Sequence, residues 1–318
     1  MALSNPFPSV HTRTVPGPAP NGLGQGLFAS TDINPGEDVL HIDTPFVAVL
    51  DTQRLTDTCS GCFSQQEVAS GSELRACTGC RTVRYCNRTC QATDWKFAHS
   101  LECGVFSKLA PRVLPINARA MLRMVLRSAR RKYTAAELDL FVQLEMHVRD
   151  MRRQNVAQWE RIQLSSKAVR AYSGTEMNEE AVAAFGAKLD VNAFNLTTPL
   201  YDRIGLYLHP YAALINHSCA SNAVVGFDGA YLTIKALRPI RQNEQIFISY
   251  VDATNPVDRR RTELRDRYFF DCSELREQVE KAYLLMEAVS NPGVEPGEAV
   301  DSFDSVARDE TAACVVEG

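Results

Sequence analysis

Long apolar runs are missing from this 318-residue chain. No stretch approaches the roughly 18 consecutive apolar residues that a membrane helix needs. Met1–Pro8 has neither a charged leader nor an apolar core, so no secretory signal is read there. The chain is therefore expected to be soluble and intracellular, in the nucleus, the cytoplasm or both. A net basic charge is missing too. The formal charge is −4, and no global positive field argues for nucleic acid. Local basic runs, Arg127–Lys132 and Arg259–Arg261, have carboxylates near them in helix-like stretches and read as solvated helix faces. Internal repeats are absent as well.

Cysteine, by contrast, is plentiful. Seven of the ten cysteines fall within Cys59–Cys103. An oxidising compartment is not indicated, so clustering with histidine points to metal and not to disulfides. The candidate ligands are Cys59, Cys62, Cys77, Cys80, Cys86, Cys90, His99 and Cys103. They amount to two tetrahedral zinc sites with no open position, hence structural sites. The two C-x-x-C pairs can each turn both sulfurs to one ion. Cys86/Cys90 and His99/Cys103 are spaced i, i+4 and can each share a helical face. About 45 residues with so few apolar side chains cannot bury a stabilising core, so metal must supply the folding free energy, on the order of 10 kcal/mol per site.

Elsewhere the pattern alternates between strand and helix. Leu27–Ala29, Val39–Ile42 and Phe46–Leu50 read as short strands joined by turns. From Pro115 to Leu189 the apolar spacing is helical, with one stripe over Leu138, Phe141, Val142, Leu144 and Val148 and another over Ala181, Val182, Phe185 and Leu189. Ala223–Phe227 and Tyr231–Ala236 flank Asp228-Gly229, a strong hairpin signal. Gln245–Tyr250 reads as a strand, Arg259–Tyr268 and Leu275–Val289 as helices, and the Gly-, Pro- and acid-rich tail from Asn291 as disordered. The β segments are thus one domain split by two insertions.

Two resemblances follow. Tyr85 before Cys86, Trp95, and the Cys86–Cys90–His99–Cys103 end are similar to the MYND zinc finger. That likeness implies interleaved sites: Cys59, Cys62, Cys86 and Cys90 on one zinc, Cys77, Cys80, His99 and Cys103 on the other. It also implies binding of proline-containing peptides on partner proteins. Second, Gly24-Gln-Gly26, Asn216-His-Ser-Cys219, Ile246-Phe-Ile-Ser-Tyr250 and Tyr268-Phe-Phe-Asp-Cys272, in this order, resemble the SET methyltransferase domain. Combined with the finger they resemble the SET–MYND (SMYD-type) protein lysine methyltransferases over about residues 20–275.

The resemblance implies an α+β fold: a SET-type β-fold of short strands with a pseudoknot, interrupted by the finger and a helical insertion. The expected parts are a flexible N-terminus (1–21), the SET N-terminal part (22–58), the finger (59–103), the helical insertion (104–190), the SET core C-terminal part (191–255), a degenerate post-SET segment and helix (256–290) and the tail (291–318). It implies S-adenosyl-L-methionine as cofactor and a protein substrate carrying a target lysine; a monomer is expected, and charge and hydropathy speak against nucleic acid or a membrane as partner. Methyl transfer is an in-line displacement by a neutral amine. It needs a site that orients a cationic sulfonium and excludes water, not an acid–base triad.

Carried over, Gly24 and Gln25 lie along the cofactor, and the small glycine allows close backbone approach. Asn216 and His217 meet the adenosine. Asn192 binds the cofactor's amino-acid end. His147 contacts the ribose, with an exposed helix histidine as the other reading. Tyr250 is the catalytic tyrosine and also meets the cofactor, Tyr268 lines the lysine channel, and Phe270 stacks on adenine. In the family the NHSC cysteine joins three later cysteines on a third zinc. Here Cys219 and Cys272 match, but Glu274 and Glu277 stand at the other two positions, so two zinc ions are expected. The competing reading is an inactive SET scaffold that serves as an interaction module through its finger.

Overall fold

The computed structural model describes residues 7–20, 24–65 and 73–272. The expected helix Leu275–Val289, the tail from Asn291, and Glu274 and Glu277 lie outside them. The chain forms two compact units. Unit one comprises Met1–Arg13, Glu37–Leu214 and Val225–Lys235; unit two comprises Thr14–Gly36, Ile215–Val224 and Ala236–Gly318.

Unit one contains the strand Asp38–Ile42, antiparallel to Val10–Thr12 on one side and to Tyr231–Ala236 on the other. Ala223–Asp228 neighbours Tyr231–Ala236, so the hairpin around Asp228-Gly229 forms as read. A second sheet places Arg203–Leu208 between Val47–Leu50 and Phe194–Thr197, all antiparallel. All four residues of Val47–Leu50 are buried, as are the five from Ile204 to Leu208. Such continuous burial is what the β-branched and leucine content of these runs dictates.

The helical block resolves into Ile116–Ala129, Ala135–Gln143, Val148–Gln154, Val156–Ser173 and Glu179–Asn192. Local chemistry sets the starts. Thr134 accepts from the Glu137 amide while Glu137 reaches back to the Thr134 amide, a complete capping box. Asn155 and Asn178 cap the helices that follow them. The stripe Leu138–Val148 is not one helix. The helix ends at Gln143, Val142 is 71% exposed, and His147 sits at φ 43° before the next helix begins at Val148.

In the basic run Arg127–Lys132, Arg130, Arg131 and Lys132 are exposed as read, but Arg127 is not. Arg127 is buried, its guanidinium 3.8 Å from the Phe97 ring centroid and 4.7 Å from that of Tyr133. Arg119, Arg123 and Arg127 repeat at i, i+4 and all three are buried. Arg119 donates to Leu50 O at 2.8 Å and Leu114 O at 3.0 Å. Arg123 donates to Ala48 O at 2.8 Å. Carbonyls of the strand Val47–Leu50 thus satisfy two of these buried cations. By contrast, the helix Val257–Glu263, which holds Arg259–Arg261, buries no residue.

Unit two pairs Thr14–Pro18 antiparallel with Gln25–Ala29, with Gly17 opposite Gly26. The strand read over Gln245–Tyr250 is shorter than expected. Only Phe247–Ile248 is regular, parallel to Asn216–His217. The reason is Asn222, which is fully buried. Its side chain accepts from the Phe247 amide at 2.8 Å and donates to Gln245 O at 2.8 Å. One carboxamide therefore stands in for strand partners. The expected helix over Arg259–Tyr268 is Val257–Glu263 followed by a wider turn, Leu264–Tyr268. Among the described residues no helix is long and apolar enough to cross a membrane.

Candidate functional site

The finger lies in unit one. Arg75–Ala76 pairs with Arg84–Tyr85, and Asn87 caps the helix Arg88–Asp94 by accepting from the Cys90 amide at 2.9 Å. Cys86 therefore precedes the helix. Cys86 and Cys90 meet across its cap and not on one helical face. His99 and Cys103 lie on a continuous helical path, Trp95–His99 into Ser100–Leu109.

The eight ligand candidates gather as Cys59, Cys62, Cys86 and Cys90, and as Cys77, Cys80, His99 and Cys103, the donor atoms of each set all within 4.8 Å of one another. Cys62 and Cys86 sulfurs are 3.7 Å apart, and His99 Nε2 is 3.4 Å from Cys77 Sγ and 3.6 Å from Cys80 Sγ. These separations are those of ligands around one tetrahedral ion with metal–sulfur bonds near 2.3 Å. Amides of Gly61 and Cys86 point at Cys59 Sγ, each at 3.4 Å. Burial pushes the His99 imidazole down to about 4, which keeps a nitrogen lone pair available. The residues fit two zinc ions.

Behind the finger, Glu102 is buried against Arg123 with contacts of 2.7 and 2.8 Å. Asp94 accepts from Tyr85 Oη at 2.8 Å. Burial pushes the Asp94 carboxyl up to about 6, against the opposing pull of Arg123. None of this network is visible in the ligand spacing.

Unit two brings together Gly24, Gln25, Asn216, His217, Tyr250, Tyr268 and Phe270. Gly24 has φ 73° with nothing within 4 Å of where a Cβ would stand, so its conformation demands glycine and the space beside it is open. A Cβ on Gly26 would lie 2.5 Å from Gln245 Nε2 and 3.3 Å from Asn216 Nδ2, so the close approach is made there. Asn216 Nδ2 donates to Gln25 O at 3.2 Å. The buried Gln245 Nε2 has no hydrogen-bond partner among the described residues.

The aromatic residues form one cluster. Tyr250 lies 5.3 Å from His217 and 4.9 Å from Tyr268, ring centre to ring centre, and Phe270 lies 5.7 Å from His217. The Tyr250 amide donates to His217 Nδ1 at 3.0 Å, and Tyr250 Oη donates to Ile215 O at 2.7 Å. Its proton thus directed, the hydroxyl oxygen can offer lone pairs to a positively polarised group. Aromatic faces at these separations suit a cation such as a sulfonium or an ammonium. Open space at Gly24, a fixed Asn216 and this cluster fit the cofactor that the resemblance implies.

His147 and Asn192 belong to unit one. Glu145 links them. Asn192 Nδ2 donates to Glu145 O at 2.8 Å, and Glu145 Oε1 accepts from the amides of Met146 at 2.8 Å and His147 at 2.9 Å. His147 Nδ1 lies 3.1 Å from Asp150 Oδ2. His147 is therefore not an exposed helix histidine; it caps a connection that Glu145 organises. Lys188 Nζ closes the same connection from behind, donating to Val142 O and Leu144 O. Asn222, Gln245, Glu145 and Lys188 were not signalled by motif or periodicity.

A scan of protein-family models matches the SET domain over residues 24–251. Among curated proteins, the chain is 30% identical to "SET domain and MYND-type zinc finger protein 6" of Schizosaccharomyces pombe, over 79% of this chain and 49% of that protein. It is 30% identical to "Histone-lysine N-methyltransferase SMYD3" of Homo sapiens, over 81% of this chain and 60% of that one. It is 29% identical to "N-lysine methyltransferase SMYD2" of Gallus gallus, over 85% and 62%. The chain thus spans half to three fifths of the length of these relatives. With the two finger clusters and the Asn216–Tyr250 geometry in place, the chain belongs to the SET domain family, in its SET–MYND branch.

Proposed function

We propose that this chain is an S-adenosylmethionine-dependent protein-lysine N-methyltransferase whose finger binds proline-containing peptides on partner proteins. The observation that carries it is the Tyr250 hydroxyl, held at 2.7 Å on Ile215 O within a cluster of three aromatic rings and His217. The cofactor supplies an electrophilic methyl group when bound. Around it, Gly24 and Gln25 border the open space and Asn216 is tied to that loop. The Tyr250 oxygen and the surrounding rings favour positive charge in a water-poor channel, which helps align an incoming neutral amine. Tyr268 and Phe270 form the channel wall. The relatives named for lysine methyl transfer support the reading.

For the finger, Trp95 is 46% exposed and packs edge-on to His99 at 5.8 Å, a ring that a proline can stack on. Isothermal titration of the zinc-loaded full chain with S-adenosylmethionine tests the catalytic reading. Saturable binding, weakened by Asn216→Ala, is expected; no binding to folded protein overturns it and leaves the adaptor reading.

A further inference from the structure

Cys219 and Cys272 are the two described cysteines outside the finger. Their sulfurs and a His217 ring nitrogen lie within 4.8 Å of one another. Three donors so placed invite a metal, and Cys219 and Cys272 match two positions of the family's third zinc site. The hydrogen bonds argue otherwise. The Tyr250 amide donates to His217 Nδ1 at 3.0 Å. A neutral imidazole has one accepting nitrogen, so the ring proton is on Nε2. Nε2 in turn lies 3.0 Å from Cys219 Sγ, a donor to sulfur and not a lone pair for a metal. Two thiols remain, half of a tetrahedral structural site. The sequence matches for the other half are carboxylates, Glu274 and Glu277.

We infer that Cys219 and Cys272 are a thiol–disulfide pair, a redox modification site, and that a third zinc is not held there. The finger cysteines sit in complete four-donor sets that zinc protects. These two sulfurs are close together, and among the described residues they belong to no four-donor set. Cys219 is half-buried and Cys272 is 2% exposed, so Cys219 meets the oxidant and Cys272 resolves. With hydrogen peroxide, the Cys219 sulfur attacks one peroxide oxygen and the O–O bond breaks. Cys219 becomes a sulfenic acid, and the departing hydroxide takes the thiol proton as water. The Cys272 sulfur then attacks the Cys219 sulfur. The S–S bond forms, the S–O bond breaks, and the second oxygen leaves as water with the Cys272 proton. Two thiols lose two electrons in total and one peroxide becomes two waters. A dithiol reverses the change by exchange. The bond draws the sulfurs to about 2.05 Å and takes Cys219 Sγ away from His217 Nε2. It also ties the segment carrying Phe270, two residues before Cys272, to the segment carrying Asn216.

The test uses the zinc-loaded full chain with Cys314→Ser, which removes the remaining cysteine. Samples are treated with graded hydrogen peroxide, blocked with N-ethylmaleimide in denaturant and mapped by peptide mass, with zinc measured in parallel. The expected result is a Cys219–Cys272 linked peptide, lighter by two hydrogens, as the main oxidised species. It is lost on dithiothreitol treatment and forms while zinc stays at two per chain. Cys219→Ser and Cys272→Ser remove it without changing zinc content. Three zinc ions per chain, falling to two in either variant, overturn the inference. So does peroxide that strips finger zinc while both thiols still take the maleimide. The parent chain alone decides between these outcomes if a serine variant does not fold, and none depends on methyl transfer.

Discussion

Arg123 meets Glu102 side-on, Nε to Oε1 at 2.7 Å and the second pair at 2.8 Å, one residue before the zinc-ligand candidate Cys103. Both side chains are buried, and Arg123 also reaches Ala48 O. The helix Ile116–Ala129 thus fixes both the finger's last helix and the strand Val47–Leu50. Removing one partner of a buried pair leaves the other charge uncompensated, at a cost of about 3–5 kcal/mol. Glu102→Ala and Arg123→Ala should each lower the unfolding free energy by that order, read as a lower urea midpoint at unchanged slope. The double replacement Arg123→Met with Glu102→Leu should recover much of it. Denaturant titration with zinc in excess checks this; additive losses in the double variant would contradict the coupling.

The finger should hold two zinc ions per chain. Cys90→Ala removes a donor from one set and Cys103→Ala from the other. Each should reduce zinc content by one equivalent by mass spectrometry. Chelation should unfold the region, because metal supplies its folding free energy. Spectroscopic cobalt substitution should show tetrahedral thiolate bands in both variants, since each retains one complete set.

Gly26→Ala should disturb unit two more than Gly24→Ala. At Gly26 the new methyl meets Gln245 and Asn216 side chains; at Gly24 it meets open space but a φ of 73°. Overpacking costs about 1–3 kcal/mol, against roughly 1 kcal/mol for a left-handed alanine. Gly26→Ala should also weaken cofactor binding by displacing Asn216. Equal stability loss in both variants, or an unchanged cofactor affinity in Gly26→Ala, would contradict this.

His209 gives an acid-sensitive term. Burial pushes its imidazole down to about 3, its Nδ1 accepts from the Tyr211 amide at 3.2 Å, and its Nε2 has no partner among the described residues. The unfolded chain takes up a proton below about 6.5 that the folded chain refuses. Stability from this residue is whole above 6.5 and falls as pH drops toward 3, by at most about 1.4 kcal/mol per pH unit. His209→Leu should cost stability at pH 7 yet lose less between pH 6.5 and 5 than the parent. Parallel pH profiles would refute the assignment.

Much of this was legible from residue types with hard geometric demands. Two C-x-x-C pairs, four further ligands and the Asp228-Gly229 turn act locally, so spacing suffices to find them. Long-range choices were not legible. Arg127 read as part of a solvated face because local spacing cannot show that the Phe97 and Tyr133 rings await it, and the burial of Arg119 and Arg123 against strand carbonyls and Glu102 left no signal at all. The strand at Phe247 was overextended because Asn222, far off in sequence, takes its hydrogen bonds. The Leu138–Val148 stripe hid a break because Leu144 is buried as a cap residue just as it would be in a helix.

The central claim rests on the Tyr250 hydroxyl, and the most direct measurement is transfer of labelled methyl from S-adenosylmethionine into proteins of a cell extract. The zinc-loaded chain should label discrete bands on lysine, and Tyr250→Phe, folded and still binding cofactor, should lower the rate by about two orders of magnitude or more. Absence of label from the parent chain, or equal labelling by Tyr250→Phe, would contradict the account.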